Sequence, residues 1–205
     1  MYTKLLSNYL ARHSRMPYIK DRQLIKDVFA RNRMVLTDEL MDFQLRYARY
    51  YHKVSPHTFV YGLVHQNSEY LPALDLDFDD DKPQRILFTC MDTHPSFARA
   101  IDARGVYYKD YAPIAQNFTK YLLQRALFWQ ETQTKQWQQV HLSAHVQQSI
   151  RKEQVGKLEE FFLAEVSDQY SQIYQLPELM IKVEPEQIIA WKVVGSTPHL
   201  FYFSL

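Results

Sequence analysis

Glycine is nearly absent from this chain of 205 residues: Gly62, Gly105, Gly156 and Gly195 are the only four, and each stands alone. Loops that cradle phosphate need glycine wherever backbone must approach the ligand closely. Neither the dinucleotide fingerprint nor the P-loop can therefore be assembled from this chain. Simple nucleotide-binding folds are poor candidates, and the architecture has to be built from elements joined by ordinary turns.

Core material is ample. Aromatic residues make up 15% of the chain, as Tyr 15, Phe 12 and Trp 3. A chain of this length buries roughly 70% of its unfolded surface, so it needs no disulfide or metal staple, and disorder over most of its length is not expected. Cys90 is the sole cysteine, which removes a disulfide framework and a Cys-based zinc site and favours a reducing interior. The start, "MYTKLLSNYLARHSR", has only Leu5 and Leu6 as an apolar pair before Ser7 and Asn8 interrupt it. No secretory segment and no membrane-spanning run is read anywhere. The expectation is a soluble cytoplasmic protein without a membrane partner.

Charge is unevenly distributed. Residues 1–56 carry a net +6, residues 57–112 a net −4 and residues 113–205 a net −1. Such asymmetry fits a basic helical face beside an acidic sheet region, or simply charges on different solvated faces.

The first third reads as helical. "DRQLIKDVFAR" spaces Leu24, Ile25, Val28 and Phe29 along one helix face. Thr37 has the chemistry of an N-cap, followed by Asp38 and Glu39 where acids complement the helix dipole. A stripe of Leu40, Phe43, Tyr47 and Tyr50 or Tyr51 then follows, with Asp42 and Arg46 paired at i,i+4 on another face. The middle third turns to short strands: "TFVYGLVH" (58–65), "YLPALDLDF" (70–78) and "RILFTCM" (85–91). Pro72 assigns the second of these to a sheet edge. "PSFARAIDARGVYYKDY" predicts two strands joined at Asp102–Gly105, with Gly105 at positive φ. "PIAQNFTKYLLQRALFW" (113–129) predicts a helix. Eight glutamines fall between Gln130 and Gln154, after which "VGKLEEFFLAEVSDQYSQIY" predicts an amphipathic helix through Leu158, Phe161, Phe162, Val166 and Tyr170. "QIIAWKVVG" and "HLFYFSL" predict a closing hairpin across "GSTP".

The densest charge is in "ALDLDFDDDKPQ", where Asp75, Asp77, Asp79, Asp80 and Asp81 occupy five of seven positions. An EF-hand loop needs glycine at its sixth position and glutamate at its twelfth. Counted from Asp75, those positions hold Asp80 and Ile86. The alternation of Leu74, Leu76 and Phe78 with Asp75, Asp77 and Asp79 suits a strand instead, apolar residues inward and acids outward. It is either a solvated edge that discourages strand pairing or a surface for a basic partner.

Three other constellations carry candidate chemistry. His141 and His145 in "HLSAH" stand at i,i+4, but Leu142 occupies the position where a metalloprotease needs glutamate. Cys90 with His94 has the ingredients of a nucleophile and base, against a buried cysteine at a strand end. "RYARYYHK" (46–53) mixes Arg46, Arg49 and Lys53 with three tyrosines, as nucleic-acid platforms do, against a core stripe with a solvated basic flank.

In order along the chain, "LTDELMDFQLRYA" (36–48), the intervening strands and "FARAIDARGVYYKDYAPIAQNFTKYLLQRA" (97–126) resemble the SUKH superfamily. That fold is shared by bacterial toxin-immunity proteins and fungal cell-wall-synthesis regulators. Ala115, Asn117, Phe118, Tyr121 and Leu122 stand at the spacing of the family's closing helix, and the resemblance spans residues 20–130. It implies a non-enzymatic module that covers the active surface of a partner. Many such partners are nucleases with basic clefts, to which an acidic surface would be complementary.

Together these readings predict an α+β protein with N-terminal helices, a mostly antiparallel central sheet and a helix-plus-hairpin extension. Residues 1–130 form the SUKH-like domain and residues 131–205 an extension packed on it. The expected function is protein binding, as an immunity or regulatory protein, through Asp75, Asp77, Asp79, Asp80 and Asp81, with a basic toxin as one possible partner. No catalytic residue, cofactor or metal is assigned. The rivals are a metal-dependent hydrolase or nuclease using Asp75, Asp77, Asp79 and His94, and nucleic-acid binding through the basic N-terminal helices.

Overall fold

Asp21 and Thr37 start the two principal N-terminal helices, and both act through their side chains. In the computed structural model, which describes residues 2–54, 57–66, 69–78, 85–92, 99–152, 158–185 and 187–195, Asp21 Oδ1 accepts from the backbone N–H groups of Gln23 and Leu24. Thr37 Oγ1 accepts from Leu40 N at 3.4 Å and donates to Ala103 O at 2.7 Å. It caps its helix and ties that helix to a distant turn at once. The chain is α+β, and its contacts divide it into two units: Ser7–Phe118, and Met1–Leu6 with Thr119–Leu205.

The elements up to Phe118 are α1 (Tyr2–Leu10), β1 (Ser14–Arg15), α2 (Arg22–Arg31), α3 (Asp38–Tyr47), β2 (Tyr50–Val54), β3 (His57–Tyr61), β4 (Val64–Gln66), β5 (Pro72–Leu74), β6 (Leu76–Phe78), β7 (Ile86–Thr89), β8 (Met91–Asp92), β9 (Arg99–Ile101), β10 (Tyr107–Lys109) and β11 (Ala112–Ala115). Their strands form three sheets, with orders β1-β2-β3-β8, β11-β10-β9-β7-β6 and β4-β5. Every pairing is antiparallel.

The core of this unit is aromatic. Phe118 is 2% exposed, and four rings meet it edge-on: Phe43 at 4.8 Å, Tyr47 at 5.0 Å, Tyr61 at 4.8 Å and Tyr107 at 5.1 Å between centroids. Edge-to-face pairs of this kind each add about 0.5–1.5 kcal/mol beyond the area they bury. Leu40, Phe43 and Tyr47 of α3 are buried as the stripe predicts. The stripe ends there, however. Ala48 leaves the helical region, Arg49 takes φ 63°, and Tyr50 and Tyr51 belong to β2. Only the first two residues of "RYARYYHK" are helical, so no continuous basic–aromatic helix face exists.

Other boundaries also differ from expectation. Residues 70–78 are two strands rather than one: β5 pairs with β4 and β6 with β7, and the break falls at Asp75. Ala112–Ala115 is not helical but an edge strand paired with β10, where Pro113 sacrifices no ladder bond on the open side. The β9–β10 hairpin forms as predicted, with Gly105 at φ 85°. A Cβ at Gly105 would lie 3.2 Å from Glu39 Cβ, so any side chain there is both strained and crowded.

The other unit contains α4 (Phe118–Thr134), counted from Thr119, then β12 (Trp137–Val140), α5 (Ala144–Lys152), a short 3-10 helix (Glu159–Phe161), β13 (Gln172–Gln175), β14 (Leu179–Val183) and β15 (Ile188–Val193). Its sheet runs β12-β15-β14-β13, again antiparallel. Leu142, Ile150, Leu158, Tyr174, Ile181 and Ala190 belong to its core. Of the amphipathic helix expected over 155–174, residues 155–157 lie outside the described residues, and the rest is that 3-10 turn, a loop and the start of β13. Asp168 Oδ1 accepts from Tyr170 N and Ser171 N, a side-chain turn that competes with helix. The first strand of the expected closing hairpin is β15, which pairs with β14 and β12, and its second, residues 199–205, lies outside the described residues.

Candidate functional site

The acidic run meets the fold at β6, the terminal strand of the five-stranded sheet. Leu74 is buried and Leu76 half-buried, but Phe78, expected to face inward, is 53% exposed. Its register partner is Ile86, at the start of β7. At this last pair of the ladder the sheet offers too little cover for a ring.

Asp77 is not a free acid. Its Oδ1 accepts from Phe78 N at 2.9 Å and from the Tyr111 hydroxyl at 2.9 Å. Tyr111 sits in the two-residue loop of the β10–β11 hairpin, where Asp110 has φ 50° and Tyr111 φ 66°. Positive φ at both positions is the pattern of a type I′ turn, which favours Asn or Gly. A tyrosine held there is strained. Its carbonyl accepts from Arg85 Nη2 at 3.0 Å, so contacts at both ends of the residue hold the turn against that strain. Tyr111 is itself 40% exposed. Phe78, Asp77 and Tyr111 thus bring apolar rings and an acid to one edge.

Asp75 is exposed, and its Oδ2 lies 3.5 Å from His65 Nε2 on β4. It therefore has a neighbour of its own, separate from Tyr111. Asp79, Asp80 and Asp81 lie outside the described residues, as does His94. Two of the five predicted acids can be placed, and they face different partners.

The remaining candidates separate. Cys90 is fully buried directly after β7, with its N–H donating to Arg99 O and its carbonyl accepting from Gly62 N. Burial pushes its thiol well above the ordinary range, with Arg99 only partly opposing, so it is no nucleophile at neutral pH. His141 precedes α5 while His145 lies in its first turn, both exposed, so the i,i+4 helical relation does not exist. No group of three His, Cys, Asp or Glu side chains among the described residues could hold a metal ion. No helix among them is long and apolar enough to cross a membrane.

Sequence reasoning placed Asp102 in a turn but missed what its carboxylate does there. This carboxylate is 6% exposed and accepts from Arg104 N at 2.9 Å, Val106 N at 3.0 Å, the Tyr108 hydroxyl at 3.0 Å and Arg104 Nη2 at 2.9 Å. Tyr108 is raised above its ordinary value, by burial first and by the Asp102 charge second. The signal was present in "DARGVYY": an Asp two residues before an N–H that needs an acceptor is turn chemistry. With all its bonds directed into its own hairpin, Asp102 is architectural.

No family model, curated protein or solved structure matches this chain.

Proposed function

We propose that this is a non-enzymatic protein-binding module of the cytoplasm, immunity or regulatory in role and SUKH-like in its residues 20–130. Its contact face is the β6 edge with the acidic run that follows. The observation that carries this reading is Phe78: a large ring left 53% exposed at the end of an edge strand, beside the fixed carboxylate of Asp77. Aromatic anchors rimmed by charge are what protein interfaces use. The unpaired side of an edge strand adds backbone donors and acceptors that a partner can complete. An acidic rim selects a basic partner and raises the association rate.

The test is affinity capture from the source cells with wild-type protein, Asp75→Asn with Asp77→Asn, and Phe78→Ser, followed by rate measurement on any partner retained. Asparagine keeps the acceptor for Tyr111 and removes only charge. The wild type should associate more slowly as salt rises, since screening acts over about 8 Å at physiological strength. The double variant, which keeps Asp79, Asp80 and Asp81, should show a weaker dependence. A partner that binds both forms at one rate across salt concentrations, and tolerates Phe78→Ser, would refute this reading.

A further inference from the structure

Within the unit Ser7–Phe118 a cavity of about 350 Å³ is walled by Tyr18, Arg49, Val64, His65, Gln66 and Tyr70, a volume at the lower end of small-molecule sites. Arg49 is its unusual wall. The backbone of Arg49 is pinned at φ 63°, its N–H donating to Tyr61 O at 2.6 Å and its carbonyl accepting from Met16 N at 3.0 Å. Its side chain is pinned by almost nothing. Nη2 reaches only Met16 Sδ at 3.8 Å, Nε is buried without a hydrogen-bond partner, and no described carboxylate pairs with it.

Arg15 shows what a structural arginine does in the same unit. Its Nε and Nη2 donate to Ala48 O and Leu45 O, and its guanidinium lies 3.9 Å from the Tyr18 ring centre and 4.8 Å from that of Tyr50. Arg49 has no such set of carbonyl acceptors, and its guanidinium, held only by Met16 Sδ, stands in the wall of the cavity. Tyr70 on the lip also has positive φ, at 61°, and strained backbone of this kind gathers at ligand sites.

We propose that this cavity binds a carboxylate carried on a planar apolar group. The charge sets the anion. Asp75 stands 3.5 Å from His65 Nε2 and offsets any charge on that ring, so among the described lining residues Arg49 contributes the one positive charge without a carboxylate partner. A guanidinium fork matches a carboxylate. A phosphate dianion would want more charge or a cradle of backbone N–H groups, and no glycine lines the cavity. Val64 and the Tyr18 and Tyr70 rings suit an apolar body. The carboxylate can come from a free small acid or from the end of a peptide. This site does not depend on the β6 edge.

The experiment uses the full chain with benzoate, benzamide, inorganic phosphate, and two short peptides ending in phenylalanine, one with a free carboxylate and one amidated. Ligand-observed NMR and calorimetry should show benzoate binding and benzamide not. Arg49→Gln should weaken benzoate roughly tenfold or more, and Arg49→Lys should keep part of the affinity. If Arg49→Gln fails to fold, phenylglyoxal modification of the wild type replaces it: benzoate should protect Arg49. A free-carboxylate peptide binding more tightly than benzoate assigns the site to a chain terminus, and benzoate binding without the peptide assigns it to a small acid. Both outcomes support a carboxylate site. No carboxylate binding, phosphate binding as tight as benzoate, or unprotected Arg49 overturns it.

Discussion

Gln44 and Val64 exchange two hydrogen bonds, as neighbouring residues in adjacent strands would. Gln44 Nε2 donates to Val64 O at 3.1 Å and Gln44 Oε1 accepts from Val64 N at 3.1 Å. The same amide donates to Ile19 O and accepts from Leu63 N at 2.8 Å. A fully buried side chain on α3 therefore serves as the backbone partner that β4 lacks there. Gln44→Leu keeps the volume but strands the N–H groups of Leu63 and Val64. Each buried group left unsatisfied costs about 1–3 kcal/mol. Chemical denaturation should show a loss of about 2–5 kcal/mol for this single change.

Phe43 and Phe78 should behave oppositely on truncation. Phe43 is 2% exposed and meets Phe118 edge-on, so Phe43→Ala should cost about 3–5 kcal/mol. Phe78→Ala should cost less than about 1 kcal/mol, because the ring is largely in solvent already. A denaturation series on both variants checks the pair. Equal losses would mean that Phe78 is packed.

That contrast marks where periodicity stops being informative. Leu40, Phe43 and Tyr47 were legible as a buried stripe because helical spacing and the Thr37 cap agree. Tyr50 and Tyr51 continue the spacing but not the helix, since the turn at Ala48–Arg49 depends on bonds to Tyr61 O and from Met16 N that no local window contains. The same limit misassigned 158–174, where Leu158 and Val166 are buried with only a single 3-10 turn and a loop between them. Phe78 follows the alternation of Leu74 and Leu76, yet a strand's inward face is covered only where the sheet continues past it. The edge placement of Pro72 and the Asp102–Gly105 turn were readable because their chemistry is local. Arg49 was visible only as part of a basic segment, and its lack of a carboxylate partner among the described residues is a property of the folded chain.

Cys90 offers a direct probe of local opening. A thiol that is fully buried and pushed upward by desolvation should resist alkylation in the native protein at neutral pH. It should react at the rate of a free cysteine in denaturant. Mass spectrometry after iodoacetamide treatment reads both states. Rapid native labelling would mean that the loop after β7 opens readily.

Alkaline pH should destabilise the unit through Tyr108. Unfolded, its phenol ionises near about pH 10; folded, burial and Asp102 hold the proton to higher pH. From about pH 10 up to the folded value, the native state keeps a proton that the unfolded chain has released, so stability falls as pH rises. Below about pH 10 the contribution is fully present. Denaturation midpoints measured across this range should decline for the wild type and decline less for Tyr108→Phe. Tyr174 in the other unit is raised by burial and acts with the same sign.

Divalent cations should not find a tight site in the acidic run. Successive residues on one strand face stand about 7 Å apart, and a two-metal centre needs its carboxylates to converge on ions about 4 Å from each other. Asp75 and Asp77 do not converge. The first stands beside His65 on β4, and the second has Oδ1 engaged by Phe78 N and the Tyr111 hydroxyl. A metal bound through Asp77 Oδ1 would have to compete with Tyr111, in a turn that depends on its hydroxyl and its carbonyl together. His141 and His145 lack a shared helical face and, among the described residues, a third ligand. Calorimetric titration with calcium, magnesium, manganese and zinc should therefore show no micromolar binding. If a micromolar site does appear and Asp77→Asn abolishes it, the view of a metal-free run fails and the metal-dependent hydrolase reading revives. The exposed Phe78 edge would then be its mouth rather than a docking surface.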